Sequence, residues 1–227
     1  MELRTYGIYD KIRRYLFMLL NAKSGAEFKR AEYFASFIAN VDFDSLLDIG
    51  CGKGLVFEEI RDPNESKLLV GVDLIRNRSK QYHHISASAT RLPFTQTTFS
   101  LVTAFSLIEH ILEKERGKLY KDVGRVIKKK GTFLIQLPNR YALIESHTYL
   151  PLFGFLPSRT HSFAYRGDYV SVPSLKAVIS SLKENGFNVY GVEKYGAPFL
   201  PFGHFLGKIG LFRLFPMGYI IRAHAEN

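Results

Sequence analysis

Apolar positions recur at helical spacing over residues 6–20 and again over 26–40, where Phe28, Ala31, Phe34, Ala35 and Ile38 share one stripe. Both stretches predict amphipathic helices laid against a sheet. From residue 45 the period changes: Ser45-Leu46-Leu47-Asp48-Ile49 is a short apolar run that breaks into glycines, and helical character resumes over 55–61 until Asp62-Pro63-Asn64 interrupts it. Residues 67–73 form a second buried-strand candidate ending on Asp73, 83–87 a brief third and 99–104 a fourth. A helical stretch over 114–128 then leads to a fifth strand, 131–137, stopped by Pro138.

Over residues 139–167 this alternation dissolves into a segment rich in Pro, Gly, Tyr and Phe, and a connection that long reads as substrate-side or as a lid. Helical periodicity returns over 173–184 and stops at Asn185-Gly186, followed by a sixth strand at 187–193. Residues 197–217 are aromatic and apolar, and 219–223 reads as a closing edge strand. Strands alternating with helices argue for a doubly wound α/β domain whose mainly parallel sheet is covered on both faces. At 227 residues the chain reads as one domain: N-terminal helices over 1–40, a half over 41–137 built around the glycines, and a half over 138–227 carrying the two irregular segments.

Composition adds little to the fold but bounds the partners. Hydrophobic residues at 46% against 23% charged give the balance of a globular chain rather than a disordered one. A net charge of +10 points to an anionic partner: nucleic acid, an anionic membrane surface or a phosphorylated substrate. The cations are scattered, and the runs Arg76-Asn77-Arg78-Ser79-Lys80 and Lys128-Lys129-Lys130 read as solvated helix ends or loops. No stretch suits a membrane span, and Arg13 and Arg14 interrupt the one N-terminal apolar run, so a cytoplasmic protein is expected. Cys51 is the single cysteine, which excludes an internal disulfide and fits a reducing compartment.

The informative chemistry is Asp48-Ile49-Gly50-Cys51-Gly52-Lys53-Gly54, a strand running through Gly-x-Gly-x-Gly into a helix. Such a loop lets backbone approach a ligand where a Cβ would collide, at the positive end of a helix dipole. The dinucleotide fingerprint would need a glycine where Leu55 stands, so the spacing disfavours NAD. Asp73, 23 residues after Gly50 at the end of the second strand, is placed to accept both hydroxyls of a ribose. Cys51 has no helper base beside it in sequence, which argues against a nucleophile.

Taken together with Gly71-Val72-Asp73-Leu74, Ala89-Thr90-Arg91-Leu92-Pro93-Phe94, Phe99-Ser100-Leu101-Val102 and Leu107-Ile108-Glu109-His110, this loop resembles the class I S-adenosylmethionine-dependent methyltransferases, in particular the small-molecule group called type 11. The resemblance implies a seven-stranded sheet in the order 3-2-1-4-5-7-6 with the last strand antiparallel. It implies that Gly50, Cys51 and Gly52 hold the methionine part of S-adenosylmethionine with Asp48 nearby, that Asp73 holds the ribose, and that Leu74 packs on the adenine. Ser88 and Ala89 fall where the family commonly has Asp-Ala at the adenine edge, and Ser88 is a departure. Phe105 and Ser106 are expected beside the sulfonium.

A neutral hydroxyl acceptor needs a base, and His110 with Glu109 beside it follows the fourth strand on the edge where ligands sit in such sheets. Enzymes that methylate base or amide nitrogens carry Asn/Asp-Pro-Pro-Tyr/Phe there, whereas this chain has Phe105-Ser106-Leu107. No aspartate occurs between Phe99 and Leu112, so no metal is expected. Asn139, Arg140, Glu145, His147 and His161 are candidate acceptor contacts, with closure of a packed loop as the competing reading. The 197–217 block suits a roof over an apolar acceptor, a peripheral membrane contact or core packing. Three functions stand open: O-methylation of a small, sugar or lipid-like acceptor, methylation of tRNA at a wobble-type position, and cofactor binding without turnover.

Overall fold

The computed structural model describes residues 26–60, 66–76, 81–145, 152–155, 170–196, 208, 210 and 214–226. The helix expected over 6–20 lies outside them, as do His147, His161 and most of the 197–217 block. Seven strands form one sheet: β1 (Ser45–Ile49), β2 (Leu68–Asp73), β3 (His83–Ser86), β4 (Phe99–Phe105), β5 (Ile127–Pro138), β6 (Phe187–Tyr195) and β7 (Gly218–Ala225). Their order is β3-β2-β1-β4-β5-β7-β6. β3, β2, β1, β4 and β5 run parallel, and β7 runs antiparallel to both β5 and β6.

Four helices are described: α1 (Ala26–Ile38), α2 (Leu55–Glu59), α3 (Glu113–Val126) and α4 (Leu175–Glu184). They divide between the faces because the strand residues alternate. Leu47, Ile49, Phe133, Ile135, Ile221 and Ala223 pack with Leu119, Tyr120 and Val123 of α3 and Val178 and Leu182 of α4. On the other face Leu46, Leu101, Leu134 and Ile220 meet Phe34, Phe37 and Ile38 of α1 and Phe57 of α2. All five residues of β1 are buried, as expected for a central parallel strand. At α4, Ser174 caps the start by accepting from the Ala177 amide at 3.2 Å, and Gly186 at φ +80° lets the chain leave after Asn185.

Two expectations need correction. Residues 219–223 do not close the edge of the sheet: β7 lies between β5 and β6, as the order 3-2-1-4-5-7-6 implied by the resemblance has it, and β6 is the edge strand on that side. Its burial, with Ile220, Ile221 and Ala223 all enclosed, follows from having a neighbour on each side. The helix expected to reach residue 128 ends at Val126, and β5 starts at Ile127 rather than at 131. Lys128, Lys129 and Lys130 are therefore the solvated root of a strand. The register slips there, Phe99 facing Ile127 while Leu101 faces Thr132, and Lys130 adopts φ +59°. Lys128 reaches across to Asp44 at 2.7 Å.

Candidate functional site

The parallel strands β1, β2 and β4 end on one edge, and the β1–α2 connection turns there through three left-handed glycines: Gly50 at φ +75°, Gly52 at +52° and Gly54 at +77°. Gly50 and Cys51 donate their amides to the Val72 carbonyl at 2.7 and 3.2 Å, fastening the loop to the end of β2. Asp73 fastens it again, accepting from the Gly52 amide at 2.9 Å through one carboxylate oxygen and from the Ile75 amide at 2.9 Å through the other. Below the loop the Tyr82 ring stacks on Phe57 with centroids 4.2 Å apart. It fills space that Gly54 and Gly71 leave: a Cβ on Gly54 would stand 2.4 Å from the ring, and one on Gly71 2.7 Å. A Cβ on Gly52 would meet nothing within 4 Å, so the loop is open on its outer side.

The loop forms one wall of a cleft of about 380 Å³. Arg30, Ala31 and Phe34 of α1 face it across the opening, with Phe105, Ser106 and His110 from the end of β4, Gln136 from β5, Tyr195 from β6 and Met217 ahead of β7. Asp48, only 3% exposed, lies at its base and accepts from the Thr103 hydroxyl at 2.7 Å. Burial pushes its carboxyl up to about 7 against the opposing pull of that hydrogen bond, and the nearby Asp73 charge pushes the same way. Cys51 is buried too; desolvation first, then the Asp48 and Asp73 charges, push its thiol up to about 12, and it serves the cleft as backbone and bulk rather than as a nucleophile.

The structure thus brings together Asp48, Gly50, Cys51, Gly52, Phe105, Ser106 and His110 from the sequence-predicted set. Asp73 lies behind the loop, and Leu74 stands 78% exposed beyond it as an apolar rim. Ser88 turns its hydroxyl to Thr90, 3.0 Å away, and opens a turn, while Ala89 packs beside the core. Glu109 is buried and does not line the cleft, whereas His110 is exposed within it. Asn139 closes a loop, donating to the Pro216 carbonyl at 2.8 Å and accepting from the Tyr141 amide at 3.1 Å, and Arg140 lies over the Tyr141 ring. Glu145 is buried. None of these three lines the cleft.

Sequence reasoning missed Arg30, Phe34, Gln136, Tyr195 and Met217. Gln136 carried a legible signal, a lone amide within the otherwise apolar end of β5. The others come from elements joined only by the tertiary fold.

A methyltransferase domain model matches residues 6–192. The chain belongs to the methyltransferase domain family. It carries a class I, S-adenosylmethionine-dependent methyltransferase domain, whose sheet order is the one found here. This methyltransferase is 25% identical over 146 residues to an uncharacterized protein of Methanocaldococcus jannaschii, a match covering 62% of the chain and 64% of that relative's length. In fold it is similar to an S-adenosylmethionine-dependent methyltransferase from Mesorhizobium loti, at TM-score 0.63 and 15% identity over 87% of this chain and 99% of that one. A chain of the complex between the Haloferax volcanii Trm112 methyltransferase activator and a methyltransferase superposes at TM-score 0.63 and 13% identity, covering 98% and 100%. The Burkholderia thailandensis 1,6-didemethyltoxoflavin-N1-methyltransferase, solved with 1,6-didemethyltoxoflavin and S-adenosylhomocysteine, gives TM-score 0.56 and 10% identity over 100% and 94%.

The residues of the domain fit S-adenosylmethionine. Space above Gly52 is open, the Asp73 carboxylate keeps lone pairs beyond its two amide bonds, Leu74 is exposed beside it and Asp48 lines the cleft, a set compatible with a nucleoside carrying an ammonium.

Proposed function

We propose that this protein methylates an oxygen of a small or lipid-like acceptor held between the glycine loop and α1. The observation that carries this reading is the cleft itself, which joins the loop to an aromatic and aliphatic wall of Phe34, Phe105 and Met217. S-adenosylmethionine, when bound, supplies a methyl group on a sulfonium, so the chain's task is alignment and exclusion of water. In this reading the backbone of Gly50, Cys51 and Gly52 and the Asp48 carboxylate hold the methionine end. Asp73 receives the ribose hydroxyls, Leu74 covers the adenine, and Ser88 and Ala89 meet its edge. Phe105 and Ser106 border the reacting centre. His110 takes the proton of a neutral hydroxyl on a ring nitrogen, and Glu109 supports the turn behind it.

Calorimetric titration with S-adenosylhomocysteine tests the cofactor half; folded protein that gives no heat sinks the proposal. Transfer of tritium from labelled cofactor into cell extract, followed by fractionation, identifies the acceptor class, and label in protein or nucleic acid alone would count against a small molecule. The charge of +10 favours a second reading, in which the acceptor is RNA. A peripheral membrane contact through the 197–217 block and a cytoplasmic location remain proposals; among the described residues no helix is long and apolar enough to cross a membrane.

A further inference from the structure

One hydrogen-bond chain at the floor of the cleft has a fixed direction. The Ser106 backbone amide can only donate, and it donates to Gln136 Oε1 at 2.6 Å; the Ser106 hydroxyl donates to the same oxygen at 2.9 Å. That pair settles which end of the amide is oxygen, leaving Gln136 Nε2 to donate to the Tyr195 hydroxyl oxygen at 2.5 Å. Ser106 reaches this position at φ +51°, in the left-handed region that costs a residue with a Cβ about 1 kcal/mol or more, so the geometry is held against local strain. Tyr195, 4% exposed, therefore receives a hydrogen bond and retains its own proton to give. Among the described residues no acceptor takes that proton, and buried phenols ordinarily find one. Gly218 makes room for the hydroxyl, since a Cβ there would stand 2.5 Å from it.

Two cations line the same cleft. Arg30 projects from α1 into the same cleft and lies close enough to Tyr195 to act on it electrostatically, and Lys53 adds a second cation from the loop. Glu109 also acts on Tyr195 through space but does not line the cleft, and Asp48 lies on the cofactor side at β1. Tyr195 starts from β6, and its hydroxyl reaches over β7 to Gln136 on β5, two strands from β1. The donor set lines the cleft together with Phe34, Phe105 and Met217.

We propose that Tyr195 and Arg30 together recognise an oxyanion on an otherwise apolar acceptor, a carboxylate or a phosphate ester; this rests on the methyl-transfer reading of the same cleft. The full chain, saturated with S-adenosylhomocysteine, is titrated with benzoate, phenyl phosphate and neutral benzamide. At least one anion is expected to bind about tenfold or more tighter than benzamide, and which one binds distinguishes carboxylate from phosphate. Tyr195→Phe and Arg30→Gln should each weaken that anion about tenfold while moving S-adenosylhomocysteine affinity less than about twofold. Equal binding of all three probes overturns the proposal. So does an Arg30→Gln variant that weakens S-adenosylhomocysteine and spares the anion, since the guanidinium would then belong to the cofactor's carboxylate. Arg30 is partly exposed on its helix, so its variant reports even if Tyr195→Phe folds poorly. Failure of the wild type to bind S-adenosylhomocysteine removes the methyl-transfer reading, whereas failure of the anions alone removes only this one.

Discussion

Asp48 keeps its proton far above the ordinary carboxylate range because it is buried, with its carboxyl at about 7. In the unfolded chain the same group ionises near pH 4. The folded state thus holds the extra proton between those values, and the contribution of Asp48 to stability is fully present below about pH 4 and is lost as the pH rises toward 7. Urea unfolding of wild type and Asp48→Asn across that window should show the decline in the first and a flatter profile in the second; parallel profiles would contradict the assignment. Cys51 offers a second check. With a thiol at about 12, roughly one molecule in ten thousand is thiolate at pH 8, so iodoacetamide should leave the folded protein unlabelled by mass spectrometry and modify it once urea is added. Asp73 proves to be tied to the glycine turn through the Gly52 amide, and that turn was legible in the sequence because local spacing carries it. Arg30 and Tyr195 were not, because what makes them a pair is the strand order that brings β6 under α1.

Among the elements, the β1–α2 loop separates two uses of glycine that look alike in sequence. Gly54→Ala adds a methyl 2.4 Å from the Tyr82 ring to a left-handed residue and should cost about 2–4 kcal/mol in urea unfolding. Gly52→Ala meets nothing, so its stability cost should stay near the backbone cost of about 1 kcal/mol, while its methyl stands in the cradle and should weaken S-adenosylhomocysteine at least about tenfold. If both variants lose stability and affinity alike, the division of roles fails. The apolar runs of β1, β2 and β4 announced themselves because strands buried on both faces have no polar side to interrupt them. The start of β5 did not: three lysines in a row look like a helix end, and only the pairing of Phe99 with Ile127 and the bridge from Lys128 to Asp44 make them part of a strand.

For the molecule as a whole, the charge of +10 is the property on which the acceptor question turns. If RNA is the acceptor, bulk tRNA should bind at about 50 mM salt with an affinity that falls steeply on adding salt; weak binding there leaves the small-molecule reading standing. Saturating S-adenosylhomocysteine at about a hundred times its Kd should add about 2.7 kcal/mol to the unfolding free energy, read as a raised melting temperature. The α/β class and the alternation of elements were visible along the chain, but the inward place of the final strand came only from the family resemblance and its order 3-2-1-4-5-7-6, since the short run at 219–223 looks the same at an edge and one position inward. That inward position has a consequence for how the molecule is made. β6 pairs its backbone with the sheet only through β7, so during synthesis that ladder cannot form until residues 218–225 follow it out of the ribosome. The β1–α2 glycine loop can assemble early; the wall that carries Tyr195 is completed last.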